Sequence, residues 1–340
     1  MFLSVNRRRL LAVTAGAALP FKPSLAAPQA PSPNTAPGRG IRLVVPFAPG
    51  GVLDALARPL VERVQDHLGP LYVDNVAGLR GSTGAALVSK AKPDGNTLLL
   101  SSVVTQAINP WIGASKLYDS VRDFTPIVLI ARISNVLVLS TETARRLGIN
   151  TVAELVIYAR AHPGRLTYGS PGMGTTGHLA AEVFKERTGT QINHQPYVGL
   201  NAVQKGLLAG EVDFCFQNLS SAAGDIRAGR LKALAVSSLW RSSDLPDVPT
   251  LNESPYNPHL AGFDVGIWIG LFGPAGMARE QVLRINAAFG DALNSAELRD
   301  KLRVLKAEPA PSTPEQLAAL VKADLARYKP LAERSRAQLE

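Results

Sequence analysis

Short apolar runs alternate with stretches of helical spacing along most of the chain. Residues 41–45, IRLVV, are a β-branched run suited to a buried strand. Ala48–Pro49–Gly50–Gly51 cannot continue it. Leu56, Leu60, Val61, Val64 and Leu68 then fall on one helical face. Pro59 inside that stretch removes a backbone donor and predicts a late start or a kink. A second glycine-rich turn follows at 78–84.

Two strand-like runs, 126–132 and 136–140, are separated only by Ile133–Asn135, a spacing that lets a chain leave one sheet and enter another. A new series begins with a helix at 151–161, opened by the capping box Thr151 and Glu154. It continues as strand 166–170, helix 176–187, strand 191–195, helix 201–209, strand 212–216, helix 222–228 and strand 231–237. The turn-rich segment 237–253 closes it; strand 266–272 and helices near 279–294, 296–305 and 314–333 finish the chain. Such alternation argues for an α/β protein with mainly parallel sheets and helices on both faces. The order predicts two lobes, the second inserted into the first.

Composition and the N-terminus narrow the setting. Asn6–Arg7–Arg8–Arg9 precedes an apolar stretch over 10–19 and a small-residue end at Ser24–Ala27, the order of a bacterial export signal. The paired arginines before Leu10–Leu11 point to a twin-arginine signal over 1–26, with the general secretory route as the alternative. The apolar stretch is shorter than the ~20 residues a membrane span needs. Residues 27–40 carry too little apolar surface to fold and read as a disordered linker. Removing 1–26 takes away four cations and no acids, so the formal charge falls from +9 to +5. That excess suits anionic ligands and, without basic runs interleaved with aromatics, gives no nucleic-acid signature. A hydrophobic content of 46% can fill two cores. Cys215 is the sole cysteine, so no internal disulfide forms; in its apolar run it reads as a small buried hydrophobe.

Candidate chemistry sits where strands run into glycines. Ala48, Gly50, Gly51 and Asp54 form a corner whose bare N–H groups at a helix start suit an anion. The plainer reading is a turn, with Asp54 merely favourable in the first helical turn. Gly172-Met-Gly174-Thr-Thr-Gly177 spells G-x-G-x-x-G, but the next strand ends Asn193–His194–Gln195–Pro196 without the acid a dinucleotide ribose requires. No cofactor is expected. What remains is Ser170, Gly174, Thr175 and Thr176 at a helix N-terminus, hydroxyls and N–H groups fit for one carboxylate. His178 serves as ligand contact, helix-packing residue or, least plausibly, metal ligand. Ser170 is followed by Pro171–Gly172, so the hydrolase elbow G-x-S-x-G is absent. No paired carboxylates, nucleophile–base pair or metal set is visible, and neither catalytic nor metal residues are assigned.

The corner Val45–Pro46–Phe47, Gly50, Gly51, Asp54, the turn Asn75, Gly78, Gly81, Gly84, and Pro93–Asp94–Gly95 with Thr97–Leu99 resemble the extracytoplasmic receptors of the tripartite tricarboxylate transporter family, the Bug-type receptors. The likeness extends over 41–330 through Leu166–Gly172, Gly174, His178–Leu179, Pro196–Tyr197, Gly199, Gly210, Val212–Asp213, Ala228–Leu231, Leu234–Val236, Arg241, Leu245–Thr250 and Glu253. The resemblance implies a Venus-flytrap binding protein of type II, its lobes (41–134 with 252–340, and 135–251) joined by two crossing strands. It implies a monomeric periplasmic receptor, not an enzyme, that passes a small organic acid to large and small permease subunits. A ligand sensor for a signalling partner is the alternative, and an enzyme on the same frame a remote one. Gly199 joins the binding residues by the same resemblance. Two departures bear on the ligand: Leu79–Arg80 are bulkier than the family's usual turn, and Gln217 stands where many relatives place an aspartate. Gln217 and an inward-facing Arg80 would favour a net anionic ligand over a zwitterion.

Overall fold

The computed structural model describes residues 40–112, 116–254 and 258–337. The expected export signal, and the linker before Gly40, lie outside them. The first series comprises β1 (Ile41–Val45), α1 (Val52–Leu68), β2 (Leu71–Asn75), α2 (Ser82–Val88), β3 (Thr97–Ser102), α3 (Asn109–Ile112) and β4 (Phe124–Ile133). The second comprises β5 (Asn135–Ser140), α4 (Thr141–Leu147), α5 (Val152–Ala161), β6 (Thr167–Ser170), α6 (Thr176–Thr188), β7 (Asn193–Pro196), α7 (Leu200–Ala209), β8 (Phe214–Asn218), α8 (Leu219–Arg227) and β9 (Leu231–Val236). The chain closes with β10 (Ile267–Pro274), α9 (Arg279–Asn294), α10 (Ala296–Val304), β11 (Glu308–Pro309) and α11 (Pro314–Ala337).

Two sheets result, one ordered β11-β4-β10-β3-β1-β2 and the other β7-β6-β8-β5-β9. In the first, β1 to β4 share a direction, and β10 and β11 oppose it. In the second, β6 to β9 agree and β5 alone opposes them. The two central reversed strands, β5 and β10, are the ones that enter their sheet from the other. A strand arriving from the facing lobe starts at the end where its neighbours finish, so it must run against them. The carboxyl ends of β1, β2, β6, β7 and β8 therefore all face the gap between sheets, where ligands of open α/β sheets bind.

One crossing is almost unbroken: Ser134 alone separates β4 from β5. It is tied to the return crossing by a buried polar layer. Ser134 Oγ lies 2.8 Å from Ser238 Oγ, the Asn135 N–H donates to Ser237 Oγ at 3.2 Å, and both Ser237 Oγ and Asn135 Nδ2 donate to the Val265 carbonyl.

Helices cover both faces of each sheet. Leu56 and Leu60 of α1, Ile285 and Phe289 of α9 and Leu302 of α10 pack with Leu43, Leu98 and Ile130. Val203 and Leu207 of α7 and Leu219 of α8 cover Val136 and Val138. A third cluster is continuous between the lobes, from Val44 and Phe272 to Phe184 and Phe216, the last stacked on Phe263 of the return crossing at 6.2 Å. α1 runs unbroken through Pro59 because Leu53, Leu56, Leu60 and Val64 are buried along one side, a gain that outweighs one lost hydrogen bond.

Sequence and structure part company at β8, which starts and ends two residues later than the apolar run suggests. Asp213 is used up at the strand's foot: its carboxylate accepts from the Thr167 N–H at 2.9 Å and its own N–H donates to the Thr167 carbonyl at 2.8 Å. Pairing of Asn135 with Asn218 then carries β8 out to the gap.

Candidate functional site

At the end of β1 the chain turns through exposed Ala48–Gly51 into α1, whose N-cap Gly51 offers no side chain. Gly50 takes φ 81, a left-handed conformation that favours glycine. Its N–H is already engaged, donating to Asp54 Oδ2 at 2.9 Å. Asp54 also accepts from Arg58 Nη2 at 2.9 Å and Asn75 Nδ2 at 3.1 Å and is only 3% exposed. Burial pushes its carboxyl upward, but the bonds from Arg58, Gly50 and Asn75 outweigh this and hold it below the ordinary value. Asp54 thus shapes the corner from beneath. The N–H groups left for an anion are those of the first α1 turn, which have no intrahelical partner.

The turn after β2 brings Arg80 to the gap. Leu79 and Arg80 both adopt left-handed backbone, at φ 46 and φ 55, a strained pair for residues with side chains. The strain is held by contacts from the π turn at 104–108 and α3: Asn109 Nδ2 and Thr105 Oγ1 donate to the Arg80 carbonyl at 2.9 and 3.4 Å. So pinned, Arg80 extends Nη1 to the Met173 carbonyl of the second lobe at 3.4 Å. Beside it, Ile112 Cδ1 fills the space where a Cβ on Gly174 would lie 2.5 Å away. The two lobes therefore meet at Arg80, Ile112, Met173 and Gly174.

In the second lobe β6 ends at Ser170 and the chain passes Gly172 and Gly174 (φ 134 and 73) before Thr175 caps α6. Thr175 Oγ1 donates to the Gly172 carbonyl at 2.8 Å and accepts from the His178 N–H at 3.4 Å. Thr176 and Ser170 are buried. Ser170 Oγ sits 2.7 Å from His194 Nε2, and the Gly174 N–H donates to His178 Nδ1 at 3.3 Å. Gly199, at φ 89, caps α7 without a side chain, and its N–H donates to the Pro171 carbonyl at 3.1 Å. Val198 beside it is exposed. Gln217 lies near the outer end of β8, 1% exposed; its amide has no nitrogen or oxygen partner among the described residues, and it neighbours the Cys215 thiol, which burial pushes up to about 12.

The structure thus brings the 48–51 corner, Arg80, the 170–176 loop, Gly199 and Gln217 to the ends of the strands that face one gap, and sets Asp54 and His178 behind them. Sequence reasoning missed His194, Tyr168, Glu182, Asn109 and Ile112. His178 and Glu182 are one helical turn apart, a signal of a shared face; the register that places His194 beside Tyr168 had no sequence signal. Among the described residues no group of three or more His, Cys, Asp or Glu is placed to hold a metal ion, and no helix is long and apolar enough to cross a membrane.

Two α/β lobes joined by crossing segments, each offering a glycine corner to the gap, define a solute-binding protein. The chain belongs to the tripartite tricarboxylate transporter family of receptors, whose model matches residues 56–336. It is 37% identical to the UPF0065 protein in the tcbD-tcbE intergenic region of Pseudomonas sp. strain P51, over 96% of this chain and 94% of that one. To protein BugT of Bordetella pertussis it is 32% identical, over 99% of this chain and all of that one. Among solved structures it is similar to a Polaromonas TctC solute-binding protein without ligand (30% identity, TM-score 0.77, 88% of this chain and 100% of that chain). It is also similar to an R. palustris protein solved with adipate (33%, TM-score 0.71, 88% and 98%) and to Rhodopseudomonas palustris MatC with bound malate (29%, TM-score 0.68, 88% and 100%).

Proposed function

We propose that this chain is a periplasmic receptor that captures a small carboxylate, a di- or tricarboxylate or related organic acid, and presents it to the membrane subunits of a tripartite tricarboxylate-type permease. Its lobes are 41–134 with 252–340, and 135–251, and its export runs through the paired arginines of 1–26. One carboxylate accepts from the free N–H groups at the start of α1, and a second group is met by the loop before α6. Arg80 supplies fixed positive charge where the lobes meet, and Gln217 an uncharged donor and acceptor. Closing the lobes removes water and strengthens each of these bonds. The observation that carries the reading is the contact of Arg80 with Met173, which joins a cationic side chain of one lobe to the glycine loop of the other. The family relatives solved with adipate and malate support the choice of ligand class.

Thermal unfolding against a panel of di- and tricarboxylates, aromatic acids and amino acids tests it, alongside mass spectrometry of molecules that co-purify. At ~100 Kd the matching acid is expected to stabilise the protein by about 2.7 kcal/mol. Silence from every carboxylate, with a neutral amino acid bound instead, overturns the proposal. For export, Arg7→Lys with Arg8→Lys is expected to trap precursor in the cytoplasm; normal processing favours the general secretory route.

A further inference from the structure

The loop between β6 and α6 is held from behind by two imidazoles. His178 Nδ1 accepts the Gly174 N–H at 3.3 Å, so the ring's own proton belongs on Nε2. His194 Nε2 lies 2.7 Å from Ser170 Oγ. The two rings sit 4.7 Å apart, and His194 stacks on Tyr168 at 4.5 Å. Ser170 begins the loop, and Gly174 is the residue that meets Ile112 of the other lobe.

The surroundings suit neutral rings. His178 is 1% exposed, and its Nε2 has no hydrogen-bond partner among the described residues. On its own helix the charged neighbours are Glu182 and Lys185, already paired at 2.7 Å; from β6 comes Tyr168, whose hydroxyl donates to the same Glu182 oxygen at 2.7 Å; from β7 comes His194. A proton on Nδ1 would set an N–H against the Gly174 N–H, and two imidazolium rings at this separation repel. Burial pushes His178 down to about 4, and burial with the neighbouring His178 does the same to His194.

We propose that His178 and His194 are positioning residues of the ligand loop: as neutral rings they fix Gly174 and Ser170, and protonating His178 removes the acceptor of the Gly174 N–H and frees the loop there, so that the second lobe loses its hold on a carboxylate in acid. The carboxylate part rests on the receptor reading above; the loop geometry does not.

Nitrogen-15 spectra of the imidazoles of the purified protein, assigned with His178→Asn and His194→Gln, test the geometry without ligand. His178 is expected with its proton on Nε2, and both rings neutral at pH 5. A proton on Nδ1 of His178, or a charged ring at pH 6, overturns the assignment. Hydrogen exchange at Gly174 supplies the second readout. His178→Leu is expected to lose at least tenfold protection, and His178→Asn, whose Oδ1 replaces Nδ1, to keep it; equal protection in both overturns it. Calorimetry with adipate and malate as probes completes the test. Whichever binds wild type is expected to weaken at least tenfold in His178→Leu and less than threefold in His178→Asn. Affinity is expected to fall more steeply in wild type than in His178→Asn as pH drops from 5 through about 4, where the rings take up protons, the variant sharing any protonation of the ligand; equal falls overturn acid release. If wild type binds no carboxylate, the receptor reading fails, and spectra and exchange alone decide the loop.

Discussion

The corner at the start of α1 and the loop at the start of α6 occupy matching places in the two sheets, yet opposite chemistry holds them. The first is braced by a carboxylate: Asp54 gathers Arg58, Asn75 and the Gly50 N–H. The second is braced by uncharged rings, with His194 on Ser170 and His178 on Gly174. The Arg58 end of the first network stands half in solvent, where water and salt share the charge. The second lies deeper, with Ser170 and His178 buried and His194 half-buried, and a site shielded from water holds neutral groups at less cost than charged ones. Corners at matching places in the two sheets thus rest on supports that differ in their response to acid.

The largest effect is expected from closing the space behind the second loop. A Cβ on Gly177 would lie 2.4 Å from the Phe216 carbonyl, part of the β8 backbone. Gly177→Ala is therefore expected to cost about 3 kcal/mol, read by denaturant unfolding, because neither helix nor strand can yield cheaply. A change under 1 kcal/mol would mean that α6 is free to shift and that the loop is looser than its contacts imply.

Next comes the carboxylate brace. Asp54→Ala leaves the Gly50 N–H and the Arg58 guanidinium without this acceptor and the Asn75 amide with only the Phe47 carbonyl, and about 2 kcal/mol of stability is expected to go. The loss is expected to be the same at pH 8 and pH 5. Asp54 has a lowered pKa, so its contribution is complete above the ordinary carboxylate value of 3.8 and fades only below it.

The pH profile separates the two supports. Both histidines titrate lower in the folded protein than their ordinary 6.5, at about 4. The unfolded chain therefore takes up protons first, and their contribution is full above pH 6.5 and is lost as pH falls toward 4. Asp264 and Asp324, which burial raises above 3.8, act in the opposite direction in acid. The decisive quantity is thus the difference between wild type and His178→Asn: the variant is expected to show a shallower loss from pH 6.5 to 4. Identical slopes would assign the acid response elsewhere.

The smallest effects concern the ligand. Arg80→Ala and Gln217→Asp are each expected to weaken a bound carboxylate by about 1 kcal/mol, the range of a charge-assisted contact, measured by calorimetry. Tight binding of a neutral amino acid by wild type would break the case for a net anionic ligand.

Much of the frame was legible because local signals agree with it. The β-branched run at 41–45, the glycines at 50 and 51, and the Thr151–Glu154 capping box each act over a few residues, and the structure keeps all three. The single-residue crossing at Ser134 follows from two apolar runs set almost end to end. The short, polar α4 and the π turn at 104–108 carry no comparable pattern; tertiary contacts hold the π turn in place, through Thr105 on the Arg80 carbonyl.

By itself the sequence determined two α/β series, the crossing between them and the glycine corners, since propensity, period and turn chemistry are written in neighbouring residues. Only the tertiary structure decided that Asp54 works beneath its corner, that Arg80 reaches the other lobe, and that His178 and His194 share one stack. Those outcomes depend on register and side-chain direction between segments far apart in the chain: 93 residues separate Arg80 from Met173, and parallel pairing of β6 with β7 sets Tyr168 against His194. No window of neighbouring residues contains that information.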